Sequence, residues 1–249
     1  MAGPRTGVIL AAGFGSRLQD ESGERLKPLT LVGGEPLLVR AVRSLGLAGC
    51  ERVVIVIGHG ASTVDAAFRA AYDGDVEVVF ALNERYDLQN GVSVLTARPH
   101  LLGDEFIIAM ADHVVGDEVM ELAAAHAPAP GTATLLVDWK LGSIFDMDDA
   151  TKVWSEGGRI ARIGKTIPES EYNCVDCGVF VCTTALMDAL DSVFVARGNV
   201  SLSEGVQALA ERGAMHTLDI GDGFWQDVDT PEMLAHAERM LRRRLPAVA

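Results

Sequence analysis

Little in this sequence would take the chain to a membrane or to a nucleic acid. No apolar run approaches the roughly 20 residues of a membrane-spanning helix, and Val53–Ile57 and Phe106–Met110 have only the length of buried strands. The N-terminal residues, Met-Ala-Gly-Pro-Arg-Thr, carry no signal-peptide hydrophobic region, so a cytoplasmic protein is expected. Positive charge is scarce: 21 Lys and Arg stand against 35 Asp and Glu, for a net charge of −14. That argues against a nucleic-acid partner, which needs basic surface. It also means that any anionic ligand must be met by local cations or a metal ion. Aromatic residues make up 6% of the chain, which leaves few walls for a cage around a cationic head group. There are four cysteines. Cys174-Val-Asp-Cys177 has the spacing of half a metal site, but no second pair and no nearby His pair completes one. Alternation along the segment puts Cys174 and Cys177 on opposite faces of a strand, as free buried thiols.

What the chain does have is Gly7-Val-Ile-Leu-Ala-Ala-Gly-Phe-Gly-Ser-Arg-Leu18, followed by Lys27-Pro28. An apolar strand runs into a loop of small residues. Glycines let backbone N–H groups approach a ligand with no Cβ in the way. Such a loop before a helix start forms a positive concavity suited to phosphate. Leu10, Ala11, Ala12, Gly13, Gly15 and Ser16 would cradle a nucleoside triphosphate, with Arg17 and Lys27 as fixed cations. The loop has no Gly-Lys-Ser/Thr end, which excludes a Walker loop. Leu18 stands where the dinucleotide fingerprint needs a third glycine, which weakens a dehydrogenase reading.

Leu10-Ala-Ala-Gly-Phe-Gly-Ser-Arg17 with Lys27-Pro28 resembles the signature of the sugar-phosphate nucleotidylyltransferase type of nucleotidyltransferase. The resemblance implies that Arg17 and Lys27 are catalytic and hold the phosphates that leave as pyrophosphate. It extends to Ala109-Met-Ala-Asp-His113 and Trp225-Gln-Asp-Val-Asp-Thr230, similar to the family's metal-binding elements. These imply Mg²⁺ on Asp112 and Asp227. Asp229-Thr-Pro231 reads as a helix start, so Asp229 is taken as structural. Lys165 matches a family lysine that contacts the acceptor's phosphate, and Asp176 and Gly178 fall in an element lining the acceptor pocket. The stretch Asn83–Ser93, with Met110-Ala-Asp-His-Val114, resembles the cytidylyltransferases for inositol 1-phosphate and, more distantly, phosphocholine. There Gln89, Asn90, Gly91 and Ser93, with Gly58, would read the base of CTP, because an amide both donates and accepts. The bland alternative is an Asn-Gly turn with Ser93 capping a helix. Such enzymes also occur fused to a membrane-bound synthase, and this chain is expected to be the soluble transferase alone.

The expected fold is α/β, a doubly wound, mostly parallel sheet with a mixed acceptor-binding lobe. Strands are predicted at Val8–Ala12, Arg52–Ile57, Val76–Leu82 and Phe106–Ala111. Helices at Leu37–Leu47, Thr63–Tyr72, Asn90–Arg98 and Asp117–His126 would connect or follow them. The second half is predicted to hold a strand over Ala133–Trp139, a hairpin of Thr151–Trp154 with Arg159–Gly164, and a strand over Val179–Cys182. Helices follow over Thr184–Phe194, Leu202–Arg212 and Pro231–Leu245. One domain is expected, with residues 1–130 binding nucleotide and 131–249 binding the acceptor. Ligands should lie at the carboxyl ends of the strands.

His59 and His113 fall at strand ends and would line the site, whereas His126 and His216 read as structural. Asp138, Lys140, Asp146, Asp148 and Glu169 would serve an acceptor's hydroxyl groups, which tilts the reading towards a phosphorylated polyol. The basic stretch Arg239–Arg244 reads as the solvated end of a helix. The expected reaction is transfer of a nucleotidyl group from CTP to a small phosphorylated alcohol, foremost inositol 1-phosphate. Phosphocholine, a phosphonate or a hexose 1-phosphate are alternative acceptors, and a non-catalytic nucleotide-binding regulator is an alternative outside the class. A homodimer is left open.

Overall fold

The computed structural model describes residues 5–13 and 26–244. Gly15, Ser16 and Arg17 lie outside the described residues. In chain order the strands are β1 (Arg5–Ala11), β2 (Leu31–Val32), β3 (Glu35–Pro36), β4 (Cys50–Ile57), β5 (Glu77–Leu82), β6 (Glu105–Met110) and β7 (His113–Val115). They continue with β8 (Ala133–Asp138), β9 (Lys152–Glu156), β10 (Arg159–Gly164), β11 (Cys174–Thr183), β12 (Met215–Asp219) and β13 (Trp225–Asp227). The helices are α1 (Leu37–Leu47), α2 (Ala61–Ala71), α3 (Asn90–Ala97), α4 (Asp117–Ala125), α5 (Ala185–Arg197), α6 (Leu202–Ala210) and α7 (Pro231–Arg244).

Among the described residues, nine strands form one sheet in the order β5-β4-β1-β6-β11-β8-β12-β10-β9. The first four positions are parallel, as expected from the β-α repeat. The C-terminal half does not build a separate sheet. β11 pairs antiparallel with β6, so the sheet continues without a break into a mixed half. Strands buried on both faces explain the unbroken apolar runs of β4 and β6. Val54, Val56, Phe106 and Ile108 point to one face, where α3, α5 and α6 cover them. Val53, Ile55, Ile107 and Ala109 point to the other, under α1, α2 and α4. Cys174 and Cys177 fall on opposite faces and are free and buried, as the alternation predicts.

The crossovers set the site. From β1 the chain steps outwards through α1 and α2 to β4 and β5, then returns through α3 to β6 on the other side of β1. The carboxyl ends of β1 and β6 diverge at this switch, leaving the crevice where α/β sheets bind ligands. Three small elements escape the sequence reading. The β2–β3 hairpin turns on Gly33 and Gly34, whose φ values of 61° and 88° only glycine adopts readily. β7 and β13 pair with each other, outside the main sheet. β12, part polar along its length, joins β8 in parallel. Strands of two or three residues are too short to show a period. β11 is also longer than predicted, because its first residues pair with β8 and β9. The end of α7 is not simply solvated: Arg244 lies 5.2 Å above the Phe224 ring, donates to the Asp222 carbonyl at 3.2 Å and pairs with Glu118.

Candidate active site

β1 ends in Ala11-Ala12-Gly13, and His59 N–H donates to the Ala12 carbonyl at 3.1 Å, tying the loop after β4 to that after β1. Leu10, Ala11, Ala12, Gly13, Lys27, Pro28, Asn90, Ser93 and Asp112 line one cavity, together with Tyr86 and Leu88. A second cavity is lined by Asp112, His113, Lys165, Asp176, Gly178 and Asp227. The two share Asn90, Met110 and Asp112, so the carboxyl end of β6 forms the ridge between them. The structure therefore gathers into one crevice residues that the sequence spreads from Leu10 to Asp229.

Charge concentrates on that ridge. Lys27 Nζ donates to Asp112 Oδ2 at 2.6 Å and also pairs with Asp229. Asp112 Oδ1 is 2.7 Å from His113 Nδ1. Burial pushes the Asp112 carboxyl up, but the hydrogen bond and charge of His113 and the Lys27 cation outweigh it and hold it well below the usual range. Against the effect of burial, the hydrogen bond and charge of Asp112, with the charges of Asp227 and Asp176, hold the His113 imidazole above its ordinary value. Trp225 stacks on His113, with ring centroids 5.7 Å apart and planes 13° apart, and its Nε1 donates to Asp138 at 3.1 Å. β13 carries Trp225 and Asp227, and its register sets Asp227 opposite His113. Pairing of β7 with β13 thus delivers the C-terminal aspartates to the end of β6.

Asp112 and Asp227 do not form the tightest acidic group. Among the described residues, carboxylate oxygens of Asp149, Asp227 and Asp229 all lie within 4.8 Å of one another. Burial raises the Asp227 carboxyl, opposed by His113 and reinforced by Asp112. Carboxylates brought together in this way suit a hard divalent cation such as Mg²⁺, which takes oxygen ligands. Asp229 is therefore not merely a helix start: the N–H of Met233 is capped at 3.3 Å by the Thr230 hydroxyl, while Asp229 faces Lys27. On the far wall, burial pushes the Asp176 carboxyl up to about 6, opposed by the 2.7 Å bond from Gly178 N–H. Lys165 Nζ donates to Asp149 at 2.9 Å.

Several predicted residues also hold the frame, and some of them face neither cavity. Gly58 lines neither cavity; a Cβ there would lie 2.5 Å from Tyr86 Cβ and 2.9 Å from the Ala12 carbonyl oxygen. Gly91 is buried where a Cβ would meet the Val200 carbonyl oxygen at 2.6 Å. Gln89 lies outwards, in a shallow extension with Lys165 and Ser203. Asn90 is the first residue of α3, so no Asn-Gly turn forms there. Ser93 sits inside that helix and does not cap it; its hydroxyl accepts from Asn83 Nδ2 at 3.0 Å. Asp138, Lys140 and Asp146 line a different cavity, behind Trp225. Asp148 and Glu169 are exposed. His126 is structural as expected, bonded to Thr134 at 2.8 Å. Asp149, Asp229, Tyr86 and Ser203 were not singled out as ligand-facing. Asp149 closes the acidic run after Phe145, and only the fold tells it from its neighbours.

A glycine-ended strand with a lysine, facing an acidic cluster and a second lysine across one crevice, defines a nucleotidyltransferase site. The chain belongs to the MobA-like NTP transferase domain family, which matches residues 7–152. It is 32% identical over 236 residues to the bifunctional IPC transferase and DIPP synthase of Aquifex aeolicus, covering 95% of this chain and 51% of that protein. With the protein of the same description from Rubrobacter xylanophilus it shares 36% identity over 238 residues, covering 94% and 51%. The chain thus spans about half the length of these curated relatives. Among solved structures, the inositol-1-phosphate CTP transferase from T. maritima superposes with a TM-score of 0.84 at 25% identity, covering 100% of this chain and 99% of that one.

Proposed function

We propose that this enzyme transfers a cytidylyl group from CTP to inositol 1-phosphate, giving CDP-inositol and pyrophosphate. The observation that carries the reading is the divided crevice, with Lys27 on the side of the β1 loop and Lys165 on the other. The full-length likeness to an inositol-1-phosphate CTP transferase supports the choice of substrates. An acceptor phosphate oxygen attacks the α-phosphorus of CTP, a P–O bond forms, the α–β bridging P–O bond breaks and pyrophosphate leaves. The acceptor is already an anion, so no general base is required. Catalysis rests on in-line positioning and on offsetting charge.

In this reading the backbone of Leu10–Gly13, with Gly15 and Ser16, cradles the triphosphate, and Arg17 and Lys27 neutralise the departing pyrophosphate. The triphosphate draws Lys27 from Asp112 and Asp229. Asp112, Asp227 and Asp229 hold Mg²⁺, which when bound would offset the charge of the reacting phosphates. Lys165 holds the acceptor's phosphate; His113, Asp176 and the open backbone at Gly178 face its hydroxyl groups. Asn90 Oδ1 already accepts from Leu202 N–H at 2.9 Å, and its NH₂ is the group offered to the base. That group donates, and cytosine and uracil share the carbonyl it would reach. Discrimination between them then falls to backbone groups near Ala11 and Ala12. A cytoplasmic location and, if present, a homodimer belong to the same proposal.

The test is pyrophosphate release over CTP, UTP, dTTP and ATP, each with inositol 1-phosphate, phosphocholine and glucose 1-phosphate. CTP with inositol 1-phosphate is expected to lead. A faster reaction with another acceptor overturns the acceptor assignment, and a faster reaction with UTP overturns the base assignment.

A further inference from the structure

The carboxylate of Asp149 stands between two kinds of charge. One oxygen accepts from Lys165 Nζ at 2.9 Å. It also offers an oxygen within 4.8 Å of those of Asp227 and Asp229. Asp227 and Asp229 belong to one segment at the end of β13, and Asp149 arrives from the turn before β9. That turn is braced. Ala150 N–H donates to the Asp146 carbonyl at 3.2 Å, and Asp176 N–H to the Thr151 carbonyl at 2.9 Å. Lys152, only 6% exposed, donates to the Asp148 carbonyl at 2.9 Å. Asp149 is therefore presented to the crevice by a fixed backbone. Lys165, by contrast, is 54% exposed at its side chain and can move.

Three converging carboxylates repel one another unless a cation sits among them. Without a bound metal, lysines supply that charge: Lys27 on Asp112 and Asp229, Lys165 on Asp149. Both lysines face cavities proposed to receive phosphate. An arriving phosphate competes for the lysine and leaves the carboxylate to another cation.

We propose that Asp149 is a carboxylate shared between Lys165 and the divalent cation, so that an acceptor phosphate taking Lys165 releases Asp149 to the metal. This rests on reading Lys165 as the acceptor-phosphate lysine and Asp227 and Asp229 as metal carboxylates. The consequence is coupling: acceptor raises metal affinity, and by linkage metal raises acceptor affinity by the same factor. Metal and acceptor sites would then fill together.

The experiment measures Mn²⁺ binding to the full chain by the electron paramagnetic resonance signal of free Mn²⁺, without CTP, so no turnover is involved. Wild type, Asp149→Asn, Lys165→Ala and Asp227→Asn are titrated with and without inositol 1-phosphate. With inositol 1-phosphate present, loss of a metal carboxylate in Asp149→Asn should weaken Mn²⁺ binding relative to wild type by at least about tenfold, the scale seen even for outer-shell partners. Lys165→Ala should act with the opposite sign and tighten Mn²⁺ binding several-fold without acceptor, which misfolding cannot imitate. Inositol 1-phosphate should tighten Mn²⁺ binding in wild type and in neither Asp149→Asn nor Lys165→Ala. Wild-type affinity in Asp149→Asn with inositol 1-phosphate present, or acceptor-induced tightening that survives in it, overturns the shared carboxylate. If Asp227→Asn loses Mn²⁺ in that case, the metal reading stands without it. Unchanged affinity in Asp227→Asn overturns the metal reading and this inference together.

Discussion

His113 and Gly178 show how one residue of the crevice depends on another. The His113 ring is held between Trp225 and the backbone at Gly178, where an added Cβ would lie 2.6 Å from His113 Cδ2. Gly178 also has φ of 82°, which a side chain disfavours. Gly178→Ala therefore meets two penalties, a strained backbone and a displaced imidazole. A loss of about 1–3 kcal/mol in urea unfolding is expected, from the cost of an unfavourable φ and of overpacking. Because His113 also orients Asp112, kcat/KM should fall further than stability alone explains. Turnover equal to wild type in the folded variant would show that the ring's place is not critical.

Among the elements, α3 and α6 are tied by one side chain. Asn90 heads α3, and its carboxamide oxygen takes the N–H of Leu202, the first residue of α6. α6 is otherwise capped by its own box, in which Ser201 Oγ accepts from Glu204 N–H at 3.2 Å and Ser201 N–H donates to Glu204 at 2.8 Å. Leu202, Ser203 and Val206 of α6 line the cavity that holds Lys165, and Asn90 lines both cavities. Asn90→Ala leaves the Leu202 N–H without its partner, a cost of about 1–2 kcal/mol. It should also raise KM for the acceptor as well as for the nucleotide, since α6 loses its tie to α3. Kinetics with each substrate varied in turn check this; an effect on the nucleotide alone would make Asn90 a base contact and nothing more.

For the whole molecule, the continuous sheet means that ligands bridge elements far apart in sequence. β1, β6 and β11 lie side by side, so the residues of both cavities are carried by a single packed layer. Binding to the folded state alone stabilises it, by about 2.7 kcal/mol at a hundred times Kd. CTP with Mg²⁺ should therefore raise the melting temperature by several degrees, and CTP with a chelator much less. Equal shifts with and without metal, measured by calorimetry, would separate nucleotide binding from the acidic cluster.

Much of the frame was legible in the chain. The apolar runs of β1, β4 and β6 and the 3.6-residue period of α1 follow from burial on two faces and one, and α1 spans Leu37–Leu47 as predicted. The glycine loop and Lys27 stood out because phosphate chemistry limits the residues that can serve it, and Asp112 and Lys165 through their resemblance to the family's elements. Other features are tertiary. β7 and β13 are three residues each and exist only because they meet, yet their register carries Asp227 to the end of β6. Asp229 resembles a helix cap in sequence and becomes a partner of Lys27 in space. Asp146, Asp148 and Asp149 are equivalent as letters; the braced turn sends only Asp149 into the acidic cluster. Periodicity reports which face a residue takes, a local property. Which carboxylates converge depends on distances between segments far apart along the chain, and those are set only when the sheet closes.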